Sequence, residues 1–142
     1  MYGNLTGFYF VKRTPASSHD VRNLFSRVRD RMEVRRHALK LGYWPDNPPG
    51  ENGGAVLDLD WEWVRGMPSN IRDVGELRID GMIGGHRNLR IIFFRGDPKV
   101  RNPLPMIWIL QVFAKKRDDI TKDQIISFKQ RRKWVLNQFY SS

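Results

Sequence analysis

The chain has 142 residues and a mass of 16.8 kDa, and its 40% hydrophobic residues are enough for a packed core, so we expect one folded domain over 1–142 and exclude a disordered chain. The 25 Lys and Arg against 15 Asp and Glu give a net charge of +10, which predicts a polyanionic partner. The absence of cysteine excludes disulfide bonds, thiolate nucleophiles and cysteine-based metal sites.

The N-terminal part predicts a strand followed by helix. Residues 7–13 form an aromatic and β-branched run, which favours a strand that ends at Thr14-Pro15. Residues 17–20 (SSHD) offer a helix N-cap, and apolar residues then recur at helical spacing as far as about Leu41, before Gly42. We therefore expect one long amphipathic helix or a helix pair. Its polar face is basic and carries Arg22, Arg27, Arg29, Arg31, Arg35, Arg36 and Lys40.

The middle of the chain changes in character. Residues 42–54 are rich in Pro and Gly, which predicts a loop within the domain. Residues 57–64 (LDLDWEWV) alternate apolar and acidic, which favours a half-buried strand and leaves a short helix open. The carboxylates of that segment, Asp58, Asp60 and Glu62, would share one strand face. They need no metal ion there, and they could pair with a basic helix.

The C-terminal part predicts a meander and a final helix. Three sheet segments, 75–79, 89–95 and 105–114, are separated by short glycine-containing turns, as in an antiparallel meander. Residues 121–124 (TKDQ) have the spacing of a capping box and begin an amphipathic helix. We expect its exposed side to hold Lys129, Arg131, Arg132 and Lys133. The predicted class is α+β.

Most enzyme signatures that can be read from a sequence are absent. The chain has no glycine-rich phosphate loop, dinucleotide fingerprint, His-Glu-x-x-His pair or Gly-x-Ser-x-Gly elbow. Its three histidines are well separated, so we expect neither a metal ion nor a cofactor. No signal segment and no apolar run of about 18 residues occurs, so we expect a soluble, cytoplasmic protein that does not bind a membrane.

The segment 74–124 carries several motifs in order. They are 75–79 (GELRI), 89–95 (LRIIFFR), 108–116 (WILQVFAKK) and the capped start of the basic helix. Taken together they resemble the RelE/ParE superfamily of bacterial toxins, in its HigB-like, phage-Gp49-like branch. That resemblance implies a RelE-like fold with a strand and helices, an antiparallel sheet and a last helix. The chain departs from the family in its extra length before residue 64 and in the sequence RDDI at 117–120.

The resemblance also implies a function. HigB-like and RelE-like members are ribosome-dependent mRNA endonucleases, whereas ParE-like members act on DNA gyrase. We expect the toxin of a type II toxin–antitoxin pair, a metal-independent endoribonuclease that cleaves mRNA on the ribosome, inhibits translation and is neutralised by a helix-turn-helix antitoxin. Two alternatives stay open. One is a ParE-like gyrase inhibitor, and the other is a non-enzymatic nucleic-acid-binding phage regulatory protein.

Cleavage of RNA by its own 2′-hydroxyl needs proton transfer and stabilisation of a phosphorane, and well-placed cations can meet the second need. We expect Arg78 and Arg90 to clamp the scissile phosphate if the strand register puts them on one face, with Arg90 stabilising the transition state. Adjacent strand residues point to opposite faces, so one of Lys115 and Lys116 should join them. The motif position favours Lys116, with Lys115 as the fallback.

Further residues are candidates for substrate binding. Glu76 alternates onto the face of Arg78 and is expected to hold it by an ion pair rather than to act in catalysis. His86 lies in a glycine-containing turn and is a candidate for substrate contact. The predicted substrate-binding set is Glu76, His86, Arg87, Arg95, Arg117, Arg131 and Arg132. A purely structural interpretation remains open, in which Arg78 and Arg90 form surface ion pairs and the two lysines are a solvated strand end.

Overall fold

The computed structural model describes residues 9–45, 59–67, 72–97, 102–116 and 119–140. The predicted α+β class is confirmed. The elements in chain order are β1 (Phe10–Arg13), α1 (Pro15–Leu24), α2 (Val28–Leu39), a 3₁₀ turn (Lys40–Tyr43), β2 (Trp61–Trp63), β3 (Val74–Arg78), β4 (Met82–Ile83), β5 (His86–Arg87), β6 (Leu89–Gly96), β7 (Met106–Ala114), α3 (Lys122–Val135) and a π-helical turn (Leu136–Tyr140). No helix within these ranges is both long and apolar enough to cross a membrane.

Among the described residues, five strands form one sheet in the order β1-β7-β6-β3-β2. The expected antiparallel pairing of β3, β6 and β7 is confirmed, and β2 pairs antiparallel with β3 at the edge. Strand β1 lies parallel to β7 at the opposite edge, and β4 and β5 form a separate small hairpin between β3 and β6. The sequence pattern predicted neither of these last two pairings.

Helix boundaries follow their caps. The helical segment predicted as far as about Leu41 consists of two helices, because Phe25 takes an extended conformation between α1 and α2. The expected N-cap at residues 17–20 is wrong: Thr14 is the cap, its hydroxyl accepting from the Ser17 N–H at 3.2 Å and donating to the Ile109 carbonyl at 2.8 Å. The predicted capping box of α3 is confirmed, because Thr121 and Gln124 exchange side-chain to backbone hydrogen bonds.

Strand β1 covers residues 10–13 of the element predicted at 7–13, and β2 covers residues 61–63 of the element predicted at 57–64. Residues 7, 8, 57 and 58 lie outside the described part, as do residues 46–54 of the predicted loop. The start of that loop is helical instead, because the 3₁₀ turn runs through Gly42, which is buried.

The sheet lies between two helical layers. On the α1–α2 face, Leu77, Ile91 and Ile109 pack with Phe25 and Val34 of the helices. Helix α3 covers the opposite face of the sheet, and we call that face the α3 face. The buried residues between this face and the helix include Ile92, Phe94, Trp108 and Leu110 of the sheet and Phe128 and Val135 of α3. Side chains alternate between the two faces along the strands, except in β7 where its pairing with β6 shifts register opposite Ile92 and Phe93. The strand register therefore decides which of the predicted site residues can meet.

Candidate active site

The register of β3 and β6 brings the two predicted arginines together. Arg78 is directly opposite Arg90, and the next residue in that row is Phe113 of β7. Directly opposed residues of an antiparallel pair share a face. Glu76 lies two residues before Arg78 and so shares that face as well. The expectation that Arg78 and Arg90 lie on one face is confirmed, and that face is the α3 face.

Glu76 is buried between the two arginines. Its side chain is 2% exposed, its Oε2 lies 3.6 Å from Arg90 Nε, and its Oε1 lies 3.9 Å from Arg78 Nη2. These are ion-pair distances, and among the described residues neither Glu76 Oε2 nor Arg90 Nε has a hydrogen-bond partner although both are buried. The expected ion pair between Glu76 and Arg78 is confirmed. Buried polar atoms without a hydrogen bond are uncommon, and here the two ion pairs compensate the buried charge of Glu76.

Arg78 is also bound by the edge strand. Its Nη1 donates to Asp60 Oδ1 at 2.9 Å, and its Nη2 lies 2.9 Å from Glu62 Oε1. The hydrogen bond to Glu62, followed by that to Asp60, raises the pKa of Arg78 above its already high ordinary value. The sequence left open that these carboxylates pair with a basic helix, whereas Asp60 and Glu62 pair with a strand arginine.

Two cavities meet at Arg78. The larger is a cleft of about 830 Å³ between the sheet and α3, and the smaller has about 400 Å³ near the β4–β5 hairpin. Arg78 lines both of them. The cleft is also lined by Glu62, Arg65, Glu76, Lys115, Lys122 and Lys129. The smaller cavity is also lined by Asp60, Asp80, Arg87, Asn88 and Arg90. Guanidinium and ammonium groups in this arrangement can bind a chain of phosphodiesters.

The placement of the two lysines reverses the preference taken from motif position. Lys115 continues the alternation of Phe113 and lines the cleft beside Glu76 and Arg78. Lys116 is exposed and is not among the residues that line either cavity. The backbone N–H of Lys115 donates to the Asn88 carbonyl at 2.9 Å, which fixes the strand end. The geometry therefore favours Lys115.

Three other predicted substrate-binding residues are dispersed. Arg87 lines the smaller cavity, near Arg78 and Arg90. His86 Nε2 lies 3.0 Å from the Leu24 carbonyl oxygen, which turns the imidazole toward the end of α1. Arg95 lies opposite Ile107 in the register, on the α1–α2 face, with its guanidinium 5.5 Å from the ring of Trp44. Of these three residues, only Arg87 lines either cavity; Arg117 lies outside the described residues.

Arg131 and Arg132 do not lie on the exposed side of α3, contrary to our expectation. Arg131 pairs with Asp20 of α1 at 2.6 Å and donates to the Leu110 carbonyl at 2.9 Å. Arg132 pairs with Asp73 at 2.7 Å. Both guanidinium groups connect α3 to the rest of the domain, so their positive charges are largely neutralised by aspartates of the same chain.

Sequence reasoning missed some of the residues that line the cleft. Lys122 was seen only as part of a capping box, Lys129 only as part of a basic face, and Arg65 in no role. Lys122 and Lys129 are seven residues apart, which is two helical turns, so their spacing placed them on one side of α3. Which side faces the sheet was not readable. In the described ranges, no group of three or more Asp, Glu or His side chains is arranged to hold a metal ion.

A scan of protein-family models, a search of curated proteins and a search of solved structures each found no match to the chain. The candidate site therefore rests on the geometry of the chain's own residues.

Proposed function

We propose that the chain is the toxin of a type II toxin–antitoxin pair and acts as a metal-independent endoribonuclease on translated mRNA. The observation that carries the proposal is the pair of opposed arginines, Arg78 and Arg90, at the meeting point of two cavities. Three further observations support the proposal. They are the Lys115 ammonium, which lines the cleft with Arg78, the net charge of +10 and the element order implied by the motif resemblance.

The reaction would follow from these positions. The 2′-oxygen of one nucleotide attacks the adjacent phosphorus, the bond from phosphorus to the 5′-oxygen breaks, and the products carry a 2′,3′-cyclic phosphate and a 5′-hydroxyl. Arg78 and Arg90 stabilise the negative charge that the phosphorane gains. The proton of the 2′-hydroxyl passes to water in the open cleft, and Lys115 donates a proton to the departing 5′-oxygen, while Glu76 holds the two arginines in place.

The first experiment asks whether the chain cleaves messages. Expression of the chain alone is induced in bacteria, growth is followed, and the 5′ ends of cellular RNA are mapped. We expect growth arrest and new 5′ ends within translated messages. If messages stay intact while DNA supercoiling falls, the gyrase-inhibitor alternative replaces the proposal. If neither changes, the non-enzymatic alternative does.

The second experiment tests the site. Arg90→Ala is expected to lower the cleavage rate in a purified translation reaction by about a hundredfold or more, because a donor aimed at the developing charge is lost. Arg90→Lys keeps the charge but loses two-point binding, and we expect a smaller loss. Lys12→Ala, an exposed cation of β1 outside both cavities, is the matched control.

The two strand-end lysines are compared in the same assay. Lys115→Ala should lose more activity than Lys116→Ala, because only Lys115 lines the cleft. The opposite order would restore the assignment from motif position. Full growth arrest by the double variant Arg90→Ala/Lys115→Ala, with the fold verified by circular dichroism, would reject the site.

A further inference from the structure

The edge strand β2 and the residue just before it present two carboxylates to one guanidinium. Asp60 and Glu62 each lie 2.9 Å from a different terminal nitrogen of Arg78. Those two nitrogens are the donors with which an arginine binds a phosphate in two-point fashion. In the structure, therefore, the phosphate-binding donors of Arg78 are already occupied by anions of the same chain.

The positions of the two carboxylates follow the path that a polynucleotide would take. Asp60 lines the smaller cavity, Glu62 lines the cleft, and Arg78 lines both. A nucleic acid that occupied both cavities would have to pass over Arg78. Its backbone would then meet Asp60 and Glu62 at the crossing point.

These carboxylates are held in a way that permits their displacement. Their side chains are 62% and 48% exposed, so each ion pair with Arg78 is screened by solvent. Strand β2 has three residues, and among the described strands it lies at the edge of the sheet and pairs with β3 alone. Glu62 is also directly opposite Glu76 in the register, an unfavourable pairing of like charges that Arg78 compensates. If Arg78 turns to another anion, Glu62 loses that compensation.

We propose that Asp60 and Glu62 form an acidic latch, which occupies the phosphodiester position at Arg78 and which the RNA backbone must displace. Because the latch needs RNA in this cleft, it rests on the RNA binding that the proposed function requires. Its consequence is selective binding. A substrate that also engages Lys115, Lys122 and Lys129 can displace the latch, whereas an anion that meets Arg78 alone competes poorly with it.

The test is RNA binding by variants that lack the latch. The probe is a fluorescently labelled 2′-O-methyl RNA oligonucleotide, which cannot be cleaved through its 2′-oxygen, and binding is measured by fluorescence anisotropy. We expect Asp60→Asn/Glu62→Gln to lower the Kd about three- to tenfold, because the competitors for Arg78 become neutral. The single variants Asp60→Asn and Glu62→Gln should each give part of that gain, and they replace the double variant if it does not fold.

Two controls separate the latch from a general effect of charge. Asp80→Asn/Asp119→Asn also removes one negative charge from the wall of each cavity. Neither aspartate has an ion pair with Arg78 in the described structure. We expect it to change the Kd less than twofold. In an Arg78→Gln background, removal of the latch should bring no gain, because the competition is for that guanidinium.

Each outcome decides the matter. Equal gains from the two double variants would mean a general field effect and would overturn the latch. Weaker binding by the Asp60→Asn/Glu62→Gln variant would mean that the carboxylates position Arg78, and would also overturn it. Absence of RNA binding by every variant would overturn it, since a freed Arg78 should bind a phosphodiester. A gain in binding without new 5′ ends in cells would support the latch and reject the endonuclease proposal.

Discussion

Glu76 connects the stability of the sheet to the chemistry of the site. Its carboxylate is 2% exposed and faces two guanidinium groups, one from its own strand and one from β6. A charge buried to this extent is tolerated only when opposite charges compensate it. Glu76 therefore orients Arg78 and Arg90, and the two arginines in turn make its burial possible.

We predict that Glu76→Ala lowers the free energy of unfolding by about 2–3 kcal/mol, because it leaves the Arg90 guanidinium buried without its counter-charge. Urea unfolding measures the change. Glu62→Gln, which breaks an exposed pair with the same Arg78, should cost less than about 1 kcal/mol. Equal losses from both variants would show that burial of Glu76 does not matter.

His37 gives the molecule a pH-dependent stability. Its side chain is 18% exposed, and desolvation lowers its pKa below the ordinary value of 6.5, helped by the charges of Lys40 and Arg36; Glu33, at 3.6 Å, acts in the opposite direction. The folded state thus binds the proton less well than the unfolded chain. The stability that results is complete above about pH 6.5 and is lost as the pH falls through the lowered value.

We predict that the urea concentration at the midpoint of unfolding is lower at pH 5.5 than at pH 7.5. His37→Gln should reduce this difference, because glutamine does not titrate. His19→Gln, at an exposed position of α1, is the matched control and should keep the pH dependence of the original chain. An identical fall in the His37→Gln variant would assign the effect to other groups.

At the scale of the elements, α3 has two classes of basic residue. Arg131 and Arg132 are half-buried and paired with Asp20 and Asp73, whereas Lys129 is exposed and lines the cleft. Their proximity along the helix hides this difference from a sequence pattern. The partner of Arg131 is 111 residues away, so no helical period could indicate it.

We predict that the two classes separate in two measurements. Arg131→Ala should lower the free energy of unfolding by about 1–3 kcal/mol, because Asp20 then loses its charged partner. Lys129→Ala should change it by less than about 0.5 kcal/mol and should weaken RNA binding instead. If Arg131→Ala weakens binding and leaves stability unchanged, the original assignment of Arg131 to substrate is restored.

How far the sequence predicts an element depends on whether its cause is local. The β-branched and aromatic runs of β6 and β7 and the capping box at Thr121 are local signals, and the corresponding elements were predicted. The parallel pairing of β1 with β7 joins segments far apart in the sequence, such as Phe10 and Met106, and has no local signal. The N-cap at Thr14 was missed because its hydroxyl also binds the Ile109 carbonyl, a distant group.

The same distinction applies to the site. The sequence indicated Arg78 and Arg90 as a pair, but only the register shows that they are directly opposed. The choice of Lys115 follows from its alternation with Phe113, which motif position does not contain. The role of Asp60 and Glu62 could not be predicted, because it depends on which strand β2 joins.

At the scale of the whole molecule, the net charge of +10 includes cations that would contact bound RNA and cations that attract it only at a distance. The cleft on the α3 face contains Lys115, Lys122 and Lys129, while the helices on the other side of the sheet carry exposed arginines such as Arg22 and Arg29. Binding of a short oligonucleotide should involve the first group only, since the sheet separates the two. The salt dependence of binding distinguishes them.

Each lysine that neutralises a phosphate of single-stranded RNA contributes about 0.7 to the slope of log Kd against log salt concentration. We therefore predict that Lys115→Ala/Lys122→Ala/Lys129→Ala reduces that slope by about 2, measured by anisotropy with the 2′-O-methyl oligonucleotide. The control is Arg22→Ala/Arg29→Ala/Arg35→Ala, which removes the same charge from α1 and α2 and should leave the slope unchanged. Equal reductions in both would place RNA binding over the whole cationic surface rather than in the cleft.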